Sequence, residues 1–125
     1  MQPMVIRKLF LAHAFITLAA AVVLVLWPPF VPDSVGMPLE KPQYLLCYFL
    51  AASELALSFL SYVGSRTRDL PLVRLIATTL ILFHLATGAL ELTAFLQGIV
   101  GAAIFLNIVL RCVISLLFWF FGLRN

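Results

Sequence analysis

Residues 72–121 read LVRLIATTLILFHLATGALELTAFLQGIVGAAIFLNIVLRCVISLLFWFF. The run is almost wholly apolar and far longer than the roughly 20 residues one helix needs to cross a bilayer. Its one evident break is Gln97-Gly98. It predicts two membrane-spanning helices, about 72–96 and 98–121, joined by a very tight turn. Within them lie His84, Glu91, Asn107 and Arg111. Polar and ionisable side chains are costly at membrane depth, so each marks a candidate functional position.

Moving toward the N-terminus, 64–69 is a short polar turn with Arg66 and Arg68. Asp69 suits an N-cap, and Pro71 suits the first turn of the third span. Before it, about 43–63 forms the second span. Cys47, Ala51, Glu54, Ser58 and Ser61 recur at helical spacing, so they share one face, the natural inward one. Ala52 with Ala56, and Gly98 with Ala102, offer small-residue steps for close helix packing.

Residues 30–42 hold Pro32, Gly36, Pro38 and Pro42, a density that excludes a regular helix and predicts a loop. Its apolar residues suit either a connector or a lid over the bundle mouth. The first span is about 5–27, with Arg7-Lys8 near its start and Trp27-Pro28-Pro29 at its end. The tryptophan suits an interfacial anchor, and the prolines stop the helix. The apolar run exceeds a signal-peptide core and shows no small-x-small cleavage site, so it reads as a span.

Composition agrees. Apolar residues make up 64% of the 125-residue chain and charged residues 10%, against about 25% in soluble domains. So little charge cannot cover a water-facing surface, and the expected class is an all-α integral membrane bundle of four transmembrane helices, one domain over 1–125. The net charge of +3 comes from residues at span ends and not from a nucleic-acid patch, so no nucleic acid is expected. Arg7, Lys8, Arg66, Arg68, Arg74 and Arg124 fall on one side of a four-span layout, with Lys41 alone on the other. The positive-inside rule then places both termini in the cytoplasm. Cys47 and Cys112 lie inside spans without metal-ligand spacing, and they read as small apolar residues. No metal and no cofactor is predicted.

Glu54, His84 and Arg111 fall near the middle of their spans, while Glu91 and Asn107 form a second polar level. The simplest pairing joins Glu54 to Arg111, with His84 bridging toward Glu91; Glu91 remains open as the mate of Arg111. His13 lies in the inner third of its span and reads as facing the headgroups. A bis-histidine haem on His13 and His84 is disfavoured, because their depths differ by about 6 Å on the helical rise. The candidate cluster is Glu54, Ser58, His84, Glu91, Asn107 and Arg111.

Trp27-Pro28, Gly36-Met37-Pro38, the small-residue run 51–55, a short basic turn and two closely linked final spans follow one another along the whole chain. In this pattern the chain resembles the DoxX-like group of small four-helix bacterial membrane proteins. The resemblance implies a bacterial inner membrane and carries little chemistry.

Three functional expectations follow. The first is a non-catalytic accessory or scaffold subunit, in a larger membrane complex or homo-oligomer, or a binder of a lipid-like ligand. The second is a small proton-coupled transporter using Glu54, His84, Glu91 and Arg111. The third is an intramembrane enzyme on an apolar substrate, with Glu54 or His84 as acid or base.

Overall fold

A computed structural model describes residues 3–124. The chain is 83% helix, with no strand among the described residues. Helix α1 is Met4–Leu26, α2 is Phe30–Ser34, α3 is Tyr44–Arg66, α4 is Leu70–Leu96 and α5 is Ile104–Phe118. A 3-10 turn, Lys41–Gln43, leads into α3, and a π-helical turn, Trp119–Leu123, continues α5. Four segments are long and apolar enough to cross a membrane: Met4–Leu26, Lys41–Arg66, Leu70–Leu96 and Ile104–Leu123. Their outward faces are apolar, with Leu106 81% and Leu26 79% exposed. A water-soluble monomer does not leave such faces open on every helix.

Local chemistry sets the helix ends. Pro28 pushes Trp27 out of the helical region, to φ −142° and ψ 70°, and α1 stops. Pro71 lies in the first turn of α4, where a missing N–H costs nothing. Asp69 holds the N-cap position but makes no side-chain capping bond.

Gly98, at φ 73°, ends α4. Its N–H donates to the Phe95 carbonyl at 3.0 Å, and that of Ile99 to the Ala94 carbonyl at 2.9 Å. This paired Schellman pattern needs a left-handed residue, which glycine supplies without strain. Gly36, at φ 74°, closes α2 in the same way, with Met37 donating to Pro32 and Gly36 to Asp33.

Several sequence expectations need correction. The last span does not begin at Gly98; residues 98–103 are irregular and helix resumes at Ile104. The link is therefore longer than a tight turn, and Gly98 and Ala102 lie outside any helix face. Residues 30–34 are helical despite Pro32, because a proline in a helix's first turn forfeits no intrahelical bond. Ala52 and Ala56 are exposed and lie off the buried face of α3.

Helix α1 packs along α3 and α4 along α5, while contact between the two pairs is sparse. The main core joins the pairs at the end that carries both termini, through Ile6, Phe10, Leu57, Val73, Ile76, Ala77, Leu80 and Phe118. The Phe10 and Phe118 rings lie 5.1 Å apart there. At the opposite end one backbone bond, from Gly101 N–H to the Val35 carbonyl at 2.7 Å, ties the two long connections together. Between these two fastenings the helix pairs enclose polar side chains.

Candidate functional site

The inward face predicted for α3 is present: Cys47, Ala51, Glu54, Ser58 and Ser61 are all buried. Opposite it, α4 contributes His84, Gly88 and Glu91, and α5 contributes Asn107, Arg111 and Ser115, each set repeating at one helical face. Helix α1 adds His13 and Thr17, both 3% exposed.

Arg111 is the hub. Its Nε donates to Glu91 Oε1 at 3.0 Å, forming an ion pair. Asn107 Nδ2 donates to the same oxygen at 2.6 Å. Glu91 Oε2 is buried without a hydrogen-bond partner among the described residues. Arg111 Nη1 donates to His84 Nδ1 at 3.2 Å. The expected Glu54–Arg111 pair is therefore replaced by Glu91–Arg111, and His84 bonds the arginine and not Glu91. The reason is register: Glu91 and Arg111 meet directly across the packed α4–α5 pair, whereas Glu54 belongs to the other helix pair.

His84 Nε2 lies 2.8 Å from His13 Nε2, and His13 Nδ1 lies 2.7 Å from Ser61 Oγ. His13 faces the core, so its expected headgroup position is corrected. The depth argument that separated it from His84 fails as well, because the side chains bridge the difference between their backbones.

The proton positions along this chain follow from Arg111. A guanidinium has donors only, so His84 Nδ1 must accept. A histidine accepting on one nitrogen is neutral and carries its proton on the other. His84 therefore donates from Nε2 to His13 Nε2, and His13 in turn donates from Nδ1 to Ser61 Oγ. Arg111 thus orients a single relay, Arg111 to His84 to His13 to Ser61.

Two side chains of the predicted cluster stand apart from this relay. Ser58 Oγ donates to the Ala14 carbonyl at 2.7 Å and fastens α3 to α1. Glu54 is 8% exposed and, among the described residues, has no hydrogen-bond or ion-pair partner. It lines a recess of about 200 Å³ between the helix pairs, together with His13, His84, Asn107 and Arg111. The remaining walls include Leu24, Leu50, Leu110 and Ile114. A second hollow of about 390 Å³ shares Val31, Leu50, Asn107, Leu110 and Arg111 with it and reaches Ser34 and Val35. Val31 of helix α2 lines both hollows, so the 30–42 connection borders them. His13, Thr17 and Ser61 were outside the predicted cluster, although Ser61 lay on the predicted face; the signal for His13 was a titratable residue in an otherwise apolar span.

The described residues include no group of three or more histidine, cysteine or acidic side chains able to hold a metal ion. No family model, curated protein or solved structure matches this sequence.

Proposed function

We propose that the chain is an integral membrane protein that binds a lipid-like amphiphile in the recess between its helix pairs, as an accessory subunit and not as a catalyst. The basic end of the bundle then faces the cytoplasm, as the positive-inside rule requires. The observation that carries this reading is Glu54: its side chain lines a recess of mixed aliphatic and polar walls and makes no hydrogen bond or ion pair among the described residues. A polar group so placed is costly unless something satisfies it. Arg111, on the same wall, is ion-paired to Glu91, so an occupant with a hydrogen-bond donor or a positive charge in its head would give Glu54 a direct partner. Leu24, Leu50, Leu110 and Ile114 suit its apolar part. Ligand sites are concave and mainly apolar with a few placed polar groups, and this recess has that character.

The test is extraction and mass spectrometry of amphiphiles retained by protein purified in mild detergent. Wild type should retain one class well above its share of the bulk lipid, and Leu110→Trp, which fills the recess, should lose it. Retained lipid that mirrors the bulk membrane in both proteins would sink the reading.

The relay's direction weighs against His84 as the acid or base of an enzyme or the proton carrier of a transporter, and against Ser61 as a nucleophile. A serine nucleophile needs its neighbouring histidine to accept the hydroxyl proton. His13 instead donates to Ser61, and Ser61 is fully buried. A proton carrier needs its histidines to take up protons, yet each has its acceptor nitrogen occupied by a donor.

A further inference from the structure

A separate cavity of about 280 Å³ opens between the start of α1 and the end of α3, at the end of the bundle that carries both termini. Its lining brings together Arg7, Lys8 and Arg66 with the apolar Met4 and Leu11 and the ring of Tyr62. Three cations meet there, and the lining contains no carboxylate.

Two further observations sharpen the charge imbalance. Arg7 and Lys8 lie in the first turns of α1, and no acidic residue occupies its first turn. The N-terminus of a helix already carries partial positive charge and favours anions, so cations there are misplaced unless an anion joins them. Arg7 is also held in position. Its Nε donates to the Ser65 carbonyl at 3.0 Å, which leaves its terminal amino groups to engage another acceptor. The Arg66 guanidinium lies 5.6 Å from the Tyr62 ring centroid, so it too is held at the pocket wall.

The apolar part of the pocket specifies what kind of anion fits. Met4 is 68% and Leu11 40% exposed, directly beside the cations. A free inorganic anion has no use for these surfaces, whereas a phospholipid has a phosphate for the arginines and a chain for the apolar flank. Basic pockets between transmembrane helices on the cytoplasmic side hold such heads. We infer that this cavity is a binding site for the phosphate head of an anionic phospholipid. Arg7, Lys8 and Arg66 take the phosphate oxygens, and Met4 and Leu11 take the start of an acyl chain. The site is independent of the Glu54 recess and stands whether or not that recess binds an amphiphile.

The other basic residues at this end provide the control. Arg68 and Arg74 are exposed but do not line the cavity. A general attraction to an anionic surface gives every nearby cation a similar share, roughly fivefold in affinity each. A pocket concentrates the effect on its own three residues.

The experiment titrates the full chain in neutral detergent with dioctanoyl phosphatidic acid, dioctanoyl phosphatidylcholine or inorganic phosphate, reading melting temperature and lipid retained in native mass spectrometry. Phosphatidic acid should raise the melting temperature and phosphatidylcholine should not. Lys8→Gln with Arg66→Gln should weaken phosphatidic acid binding by about tenfold or more, whereas Arg68→Gln with Arg74→Gln, which removes the same charge, should change it by no more than about twofold. Lys8→Gln alone replaces a side chain that makes no hydrogen bond among the described residues, and it should show part of the loss if the double variant fails to fold. Equal losses in the two double variants would overturn the pocket in favour of general surface charge. A full response to inorganic phosphate alone would overturn the lipid assignment.

Discussion

The ring nitrogens His13 Nε2 and His84 Nε2 lie 2.8 Å apart, so one proton serves both. With Arg111 on the far side of His84, that proton belongs to His84. Nitrogen-15 spectra of histidine-labelled protein should therefore show two neutral rings of opposite tautomer at neutral pH, with the proton on Nε2 of His84 and on Nδ1 of His13. Two identical tautomers, or an imidazolium at either position, would contradict the relay. Arg111→Gln should abolish the fixed order, because an amide can donate or accept.

The ion-pair assignment predicts which mutations couple. Arg111→Gln strands the Glu91 carboxylate and should cost about 3 kcal/mol, the lower part of the range for breaking a buried pair, since both side chains keep some exposure. Glu91→Gln should cost about 1–2 kcal/mol. A double-mutant cycle on 91 and 111, read by unfolding in mild detergent, should show coupling well above 0.5 kcal/mol. The cycle on 54 and 111 should show about half a kcal/mol or less, and Glu54→Gln alone should be neutral or stabilising, as is common where function keeps a strained group. Strong coupling between 54 and 111 would restore the pairing expected from sequence.

Ser61 and Ser58 lie one turn apart on the same face but should respond differently. Ser61→Ala removes the acceptor of a buried histidine N–H and should cost about 1–3 kcal/mol. The Ala14 carbonyl that receives Ser58 is also a helix carbonyl, so Ser58→Ala should cost about 0.5–1 kcal/mol. Melting curves of the two alanine variants, side by side, decide the order.

Gly64 of α3 packs directly against the Phe10 ring of α1. A Cβ there would stand 3.0 Å from the Phe10 ring, which is fully buried and has nowhere to move. Gly64→Ala should therefore destabilise by about 1–3 kcal/mol through overpacking. Phe10→Leu in the same chain should recover part of that loss; an unchanged melting temperature for Gly64→Ala would show that the helices can part at this crossing.

Much of this architecture was legible in the residues. Length and hydropathy located four helices long and apolar enough to cross a membrane, because a crossing makes a simple demand of roughly 20 apolar residues. Helical periodicity placed Glu54, Ser58 and Ser61 on one buried face, since their spacing alone fixes their angular position. What periodicity cannot supply is the rotation and pairing of helices. Glu54, Glu91 and Arg111 were all inward-facing, yet only packing of α4 on α5 decides which carboxylate meets the arginine. His13 was misjudged for a related reason. Depth along a helix axis locates a Cα, whereas two imidazoles reach across several ångströms to meet. The start of the last helix was misplaced because Gly98 reads equally well as the end of one helix and the beginning of the next; its left-handed φ settles the matter.

The unequal fastening of the two helix pairs makes the molecule a lever. Phe10, Leu80 and Phe118 form the fulcrum at one end, and the far ends are linked by the Val35–Gly101 bond. Helix α1 runs from Phe10 to Leu26 beyond the fulcrum, roughly 24 Å, so a tilt of about 5° displaces its far end by about 2 Å. A separation of that size would part the Val35–Gly101 bond, so that link opposes the swing. The leverage thus converts a rotation too small to disturb the aromatic packing into a change of width at the hollows that Val31 borders.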